Sequence, residues 1–120
     1  MKLLIVDDSM VIRNKIDRAI TGRFSEIHFA DNGLNAINIA REMRPDVITM
    51  DLTMPLLDGT QSIQEIKQFH PTCHILVISA LADRATAIDA LKFGANGFLC
   101  KPFTEAELNS ALEKILRIRL

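Results

Sequence analysis

The sequence lacks the features that form nucleotide-binding loops, nucleic-acid surfaces and membrane-spanning segments. Its five glycines are scattered singly, so no glycine-rich loop that could cradle a nucleotide phosphate precedes a helix. The formal net charge of −1 argues against a nucleic-acid surface, which needs an excess of Lys and Arg. No apolar run approaches the roughly 18 residues that cross a bilayer, and the acidic start is unlike a signal peptide. We therefore expect a cytoplasmic protein that binds neither membrane nor nucleic acid directly.

The chain also has only two cysteines, and no tryptophan or tyrosine. Cys73 and Cys100 are expected at opposite ends of neighbouring strands. A strand of four or five residues spans roughly 15 Å, whereas a disulfide needs Cα atoms within about 7 Å, so we predict free thiols. His70 and His74 have a spacing seen in metal ligands, but Pro71 breaks any helix that would align them, so we do not predict a metal site there.

The hydrophobic residues are arranged as short runs separated by helical segments. Five runs recur along the 120 residues, at Leu3–Val6, Ile27–Ala30, Val47–Met50, Ile75–Ile78 and Gly97–Cys100. Four are almost continuously apolar, as in strands buried on both faces, while the second alternates, as in an edge strand. This order predicts one α/β domain over residues 1–120, flavodoxin-like, with a doubly wound five-stranded parallel sheet in the order 2-1-3-4-5 and five helices.

The spacing of apolar residues and the positions of residues that begin or end helices agree with this division. Gly22 and Pro45 are placed to end the first two helices, and Thr104 with Glu107 has capping-box spacing for the last. Apolar stripes predict the buried face of three helices: Ile12, Ile16, Ala19 and Ile20 in the first, Ala36, Ile37, Ala40 and Met43 in the second, Leu108, Ala111, Leu112 and Ile115 in the fifth. On the fourth helix we expect Ala87, Ile88 and Leu91 to face the core and Arg84 and Asp89 to face solvent.

Five polar residues lie just beyond the ends of the predicted strands. They are Asp7 and Asp8 after the first, Asp51 after the third, Ser79 after the fourth and Lys101 after the fifth. Each is unremarkable alone, because Asp and Ser are common in turns and helix caps. Ligands of doubly wound sheets bind at the carboxyl ends of the strands, where the winding reverses. The five side chains are therefore predicted to converge on one pocket.

The three carboxylates in this pocket need a positive partner. At about 4–5 Å apart they repel by roughly 3–4 kcal/mol per pair at an effective dielectric constant of about 20. Hard oxygen ligands at a partly open site suit Mg²⁺, which keeps waters and binds beside phosphate. Lys101 adds a charge that can pair with a carboxylate before a reaction and with phosphoryl oxygens after it.

Two other chemistries found on related sheets fit these residues poorly. A flavin mononucleotide site needs a Ser/Thr-rich phosphate loop after the first strand, where this chain has Asp7 and Asp8. A phosphatase of the haloacid-dehalogenase type needs two Asp residues at i and i+2 after its first strand. Neither Asp7-Asp8 nor Asp51-Leu52-Thr53 has that spacing.

The chain resembles the response-regulator receiver domains of two-component signalling, the CheY-like superfamily, over its whole length. The short motifs follow one another in the order and spacing of that family. They are Val6-Asp7-Asp8-Ser9, Met50-Asp51-Leu52-Thr53-Met54-Pro55, Asp58-Gly59, Ile78-Ser79-Ala80, Gly94-Ala95 and Lys101-Pro102-Phe103.

The resemblance implies a role for each residue of the pocket. Asp51 is the phosphoryl acceptor, and Lys101 and Ser79 assist the transfer. Mg²⁺ is bound by Asp8, Asp51 and the backbone carbonyl of Thr53, with Asp7 acting through a water. It further implies a cis bond between Lys101 and Pro102. Such a protein is a signalling switch that assists its own phosphorylation and dephosphorylation rather than a turnover enzyme.

The resemblance also implies partners and an output. A histidine kinase or other phosphohistidine protein donates the phosphoryl group, Ser79 and Phe98 form the switch pair, and a partner reads the face of the fourth helix, fifth strand and fifth helix. The protein is then a monomer or a phosphorylation-induced dimer. Three outputs stay open. The first is a chemotaxis-type regulator that acts by binding a partner such as a flagellar motor component. The second is a receiver from a longer DNA-binding or enzymatic regulator, and the third is a phosphorelay intermediate.

Overall fold

The computed structural model describes residues 1–52, 59–80 and 84–118, without the side chains of Arg84 and Thr86. Strands and helices alternate along the chain. The strands are β1 (Lys2–Val6), β2 (Glu26–Ala30), β3 (Val47–Met50), β4 (His74–Ser79) and β5 (Gly97–Cys100). The helices are α1 (Met10–Ala19), α2 (Gly33–Met43), α3 (Gly59–Phe69), α4 (Arg84–Lys92) and α5 (Glu105–Leu116).

The five strands form one parallel sheet in the order β2-β1-β3-β4-β5. This confirms the predicted flavodoxin-like α/β fold and its strand order. β2 lies at an edge, and its residues are mostly exposed or half-buried, in agreement with the alternating pattern of the second run. The chain reverses its direction of winding between β1 and β3, so the carboxyl ends of these two strands lie side by side at the centre of the sheet.

Helices cover both faces of the sheet and bury two separate cores. On one face α2, α3 and α4 pack against residues such as Leu4, Val6 and Ile48. On the other face α1 and α5 pack against Leu3 and Ile5. Successive residues of a strand point to opposite faces, so a central strand must be apolar at nearly every position to serve both cores.

The helix ends follow the expected chemistry. Gly22 has a φ of 84°, shortly after the end of α1, and the side chain of Ser9 caps its start by accepting from the N–H of Ile12. The capping box of Thr104 and Glu107 is present at the start of α5. At the end of α2 the chain turns at Arg44, which adopts a φ of 52° immediately before Pro45.

The prediction for α4 is wrong in its rotation about the helix axis. Ile88 and Leu91 are 45% and 50% exposed, whereas Ala90 is fully buried and packs in the core with Ala95. Apolar residues lie almost all round this helix, so their spacing cannot fix which side faces the sheet. The side chain of Arg84 lies outside the described residues, and Asp89 is exposed as expected.

Two further expectations concern the cysteines and the membrane. Both thiols are free: Cys73 is buried just before β4 and Cys100 is exposed at the end of β5. Burial raises the pKa of the Cys73 thiol to about 12. Within the described ranges, no helix has the length and apolar character that a membrane crossing requires.

Candidate functional site

The site is built on the carboxyl ends of β1 and β3. Val6 pairs with Met50 in the parallel register, so the residues that follow them, Asp7 and Asp51, leave the sheet side by side. The N–H of Asp51 donates to the carbonyl oxygen of Val6 at 3.0 Å, and the N–H of Asp7 donates to the carbonyl oxygen of Ala30 at 3.1 Å. The backbone at both aspartates is thus part of the hydrogen-bond ladder of the sheet.

Three carboxylates meet at this point. Asp7, Asp8 and Asp51 each offer an oxygen, and these oxygens lie within 4.8 Å of one another. Asp7 and Asp51 are only 1% and 5% exposed, while Asp8 lies open to solvent. The cluster therefore has a buried floor and one accessible side, which suits a site that must admit a ligand.

Lys101 is the cation of the site. Its Nζ lies 2.7 Å from Oδ2 of Asp7 and 3.5 Å from Oδ2 of Asp51. Burial by itself lowers the pKa of Lys101, but the hydrogen bond to Asp7 and the charges of Asp51 and Asp7 outweigh it, so the pKa lies above its ordinary value. The ammonium stays charged at neutral pH and offsets part of the carboxylate repulsion.

The loop between β1 and α1 is held by a set of short contacts. Oδ1 of Asp7 accepts from the N–H of Ser9 at 2.9 Å, while its other oxygen is held by Lys101. The backbone carbonyl of Asp7 accepts from Nη1 of Arg13 at 2.7 Å. Asp7 is therefore fixed through its carboxylate, its carbonyl and its N–H.

The start of α3 rests on the backbone of the central aspartate. Gly59 is buried, and a Cβ atom there would overlap the carbonyl oxygen of Asp51 and lie 2.7 Å from Cα of Leu52. The N–H of Gly59 donates to the carbonyl oxygen of Leu52 at 3.2 Å. Only glycine fits so close to the site. Thr53, whose carbonyl is a predicted ligand, lies outside the described residues.

Ser79 and Phe98, the predicted switch pair, lie on β4, which neighbours β3, and on β5, the next strand beyond it. Ser79 is the last residue of β4 and is buried, and its carbonyl oxygen accepts from the N–H of Lys101 at 3.0 Å. Phe98 is half-buried in β5, packs against the core under α2, α3 and α4, and lines a cleft of about 500 Å³ between β5 and α5. The bond between Lys101 and Pro102 is cis, as the resemblance implied.

The structure thus brings Asp7, Asp8, Asp51 and Lys101 together and adds residues that the sequence did not single out. Arg13 holds the Asp7 carbonyl, and Nζ of Lys15 donates to the carbonyl oxygen of Phe103 at 2.5 Å, which ties α1 to the segment after Lys101. These cations gave no signal in the sequence, because a basic residue on a helix is usually a solvated one.

The donor set fits a hard divalent cation. It consists of carboxylate oxygens, two of them buried, with one open side where a small ion could keep some of its waters. Such oxygen ligands are those preferred by Mg²⁺, and a cation would relieve the repulsion that a single ammonium leaves uncompensated. The acidic cluster is therefore compatible with Mg²⁺ binding.

Comparisons with known proteins agree with this geometry. The profile of the response regulator receiver domain family matches residues 3–113. The chemotaxis protein CheY of Listeria monocytogenes is 37% identical over 115 residues, covering 95% of this chain and 97% of that protein. CheY of Thermotoga maritima is 38% identical over 115 residues, with 95% and 96% covered.

A solved structure shares the whole architecture. The CheX–CheY–BeF3–Mg²⁺ complex from Borrelia burgdorferi superimposes with a TM-score of 0.92 at 28% identity, covering 97% of this chain and 89% of that one. Five parallel strands with an acidic cluster at their carboxyl ends define a receiver domain. The chain belongs to the response regulator receiver family and is a homologue of CheY.

Proposed function

We propose that Asp51 accepts a phosphoryl group from a phosphohistidine protein, such as a sensor histidine kinase. The observation that supports this is the place of Asp51, which directly follows the middle strand, β3. Its carboxylate lies in the cluster with those of Asp7 and Asp8, and its Oδ2 is 3.5 Å from the Lys101 ammonium. In the transfer, the bond from phosphorus to the histidine nitrogen breaks as a bond to a carboxylate oxygen of Asp51 forms. The whole of residues 1–120 serves as one receiver domain.

The metal in this proposal is Mg²⁺, held by Asp8, Asp51 and the backbone carbonyl of Thr53. When bound, it supplies positive charge next to the phosphoryl oxygens in a loose transition state. Asp7 acts through a bridging water, and the contacts of its carboxylate support this, because Ser9 and Lys101 already occupy one oxygen each.

The Lys101 ammonium compensates negative charge at the site both before and after the transfer. Before it, the ammonium is shared between Asp7 and Asp51. After it, the same ammonium pairs with a phosphoryl oxygen, while Asp7 keeps it aimed at the site. The product is an acyl phosphate, which hydrolyses with the same residues assisting, so the protein resets itself without being a turnover enzyme.

Ser79 and Phe98 carry the signal away from Asp51. The carbonyl oxygen of Ser79 accepts from the N–H of Lys101, and this closeness to the site supports a role in which the Ser79 hydroxyl follows a new phosphoryl group. Phe98, in the neighbouring strand, then turns inward from its half-buried position. Such a change biases a conformational equilibrium in which the segment that comprises α4 and β5 has two states.

The output surface in this proposal is the face formed by α4, β5 and α5. Its α4 side carries Ile88, Leu91 and Phe93, three large apolar side chains that are all exposed. Between β5 and α5 the proposed surface has a cleft, lined by Phe98 and Ile115 among others. Exposed apolar side chains of this kind mark a surface for binding another protein. The likeness to CheY supports a chemotaxis-type output by binding.

Intact mass spectrometry tests the acceptor. We expect incubation with MgCl₂ and acetyl phosphate to add one phosphoryl group to the wild-type protein, and EDTA to prevent it. Asp51→Asn should abolish the addition. The control Asp89→Asn, which changes an exposed acid on α4, should be phosphorylated like the wild type. Full labelling of Asp51→Asn would refute the assignment.

Nuclear magnetic resonance tests the output. Addition of beryllofluoride and MgCl₂ should shift amide resonances at the site and also across residues 84–108. In Ser79→Ala and Phe98→Ala the shifts at the site should remain, while those in α4 and β5 shrink. Shifts confined to the site in the wild type would refute the switch.

A further inference from the structure

The peptide bond between Asp7 and Asp8 is held by a side chain from α1. Nη1 of Arg13 donates to the carbonyl oxygen of Asp7 at 2.7 Å. Arg13 lies just past the first turn of α1 and is half-buried. Helical side chains slant towards the N-terminus of their helix, so the guanidinium reaches back over the first turn to the β1–α1 loop.

The carboxylate of Asp8 depends on this peptide more than that of Asp7 does. The Asp7 carboxylate is fixed by Ser9 and Lys101. Asp8 is exposed, and across residues 1–52, 59–80 and 84–118 no hydrogen bond to its carboxylate is seen. The position of its Cβ atom, and with it the range of directions open to the carboxylate, is therefore set by its backbone. Because the peptide unit is planar, fixing the Asp7 carbonyl also fixes the N–H and Cα of Asp8.

We propose that Arg13 is a positioning residue for the metal site, which holds the Asp7–Asp8 peptide so that the Asp8 carboxylate points towards Asp51. This inference rests on the proposed function, since it concerns the same Mg²⁺ site. Groups that orient metal ligands typically change metal affinity by about 10–100-fold when they are removed.

The electrostatic effect of Arg13 has the opposite sign to its positioning effect. Loss of a positive charge near three carboxylates makes the site more negative, and this alone would strengthen the binding of a cation. A loss of positioning would weaken it. Weaker binding after removal of Arg13 therefore cannot come from the lost charge.

Titration calorimetry with MgCl₂ on the full chain separates the two effects. We expect Arg13→Ala to raise the Kd for Mg²⁺ about tenfold. Arg13→Lys keeps the positive charge and a hydrogen-bond donor but loses the planar guanidinium group. Its Kd for Mg²⁺ should therefore lie between those of the wild type and Arg13→Ala. The control Arg18→Ala removes an exposed cation of the same helix and should leave the Kd unchanged or slightly lower.

A second measurement does not depend on the metal. In EDTA, the amide resonances of Asp8 and Ser9 should shift in Arg13→Ala and stay in place in Arg18→Ala. An unchanged or lower Kd for Mg²⁺ in Arg13→Ala would overturn the positioning role. If Arg13→Ala does not fold, Arg13→Lys decides instead, and an unchanged Kd in that variant would overturn the role. Failure of the wild-type protein itself to bind Mg²⁺ would instead refute the proposed function.

Discussion

Lys101 is the residue on which the apo site depends. Its ammonium is the counter-charge of Asp7, a carboxylate almost wholly removed from water. The pKa of Lys101 is raised in the folded protein, so its contribution to stability is fully present below the ordinary value of 10.5. That contribution is lost only when the pH rises through the higher folded value.

Removal of Lys101 should therefore destabilise the protein without metal. We expect Lys101→Ala to lower the free energy of unfolding by about 3 kcal/mol at pH 7 in EDTA, because a buried carboxylate loses its partner. Urea unfolding measures this, with the exposed Lys114→Ala as control. The deficit should persist to pH 10, and MgCl₂ should stabilise the variant at least as much as the wild type. Equal stability of variant and wild type in EDTA would contradict the pairing.

Thr49 differs from the paired Lys101, because it is a buried polar residue whose side chain makes no hydrogen bond to the described residues. It lies on β3, 1% exposed, and its hydroxyl has no hydrogen-bond partner among the described residues. We expect the isosteric Thr49→Val to raise the free energy of unfolding by about 1 kcal/mol, since the cost of an unsatisfied hydroxyl disappears. Thr21→Val, which loses a 2.9 Å bond to the Asp17 carbonyl, should not stabilise. A less stable Thr49→Val would indicate a partner for that hydroxyl.

At the scale of elements, α3 is positioned by the lack of a side chain at its first residue. Alanine is a better helix former than glycine, so propensity alone predicts that Gly59→Ala stabilises α3. The close approach to the backbone of Asp51 and Leu52 predicts the reverse. We expect a loss of about 1–3 kcal/mol, as for overpacking, together with slower phosphorylation of Asp51. Urea unfolding checks this, with Gln64→Ala on the exposed side of α3 as control. A stabilised Gly59→Ala would contradict the contact.

The rotation of α4 can be tested with a pair of matched substitutions. Leu91→Gln changes an exposed side chain and should alter the free energy of unfolding by less than about 0.5 kcal/mol. Ala90→Gln forces a larger polar side chain into the core and should cost at least about 2 kcal/mol. Chemical denaturation of the two variants compares them directly. The reverse order would restore the rotation expected from the sequence.

At the scale of the whole molecule, metal binding and folding are linked. The three carboxylates converge only in the folded chain, so Mg²⁺ should stabilise it by mass action. At a concentration of about 100 times the Kd, the gain should be about 2.7 kcal/mol. Thermal unfolding across a MgCl₂ series should show the effect in the wild type and in Asp89→Ala, and much less of it in Asp8→Ala. A melting temperature indifferent to MgCl₂ would count against the site.

The sequence by itself determined the architecture of this protein. Short, almost continuously apolar runs such as Val47–Met50 predict strands that are buried on both faces. Their alternation with helices predicts the doubly wound topology that the structure confirms. That topology brought Asp7, Asp51 and Lys101 together, because the carboxyl ends of parallel strands meet at one edge of the sheet.

Only the tertiary structure decided how the site is held. Arg13 is six residues from the Asp7 carbonyl that it fixes, and Gly59 is needed because α3 starts against Asp51. The exposure of Ile88 and Leu91 could not be predicted either, because the apolar residues of α4 are distributed almost all round the helix. Periodicity reports how residues recur along one element. The contact of a side chain with another element depends on the rotation and approach of both, which packing sets.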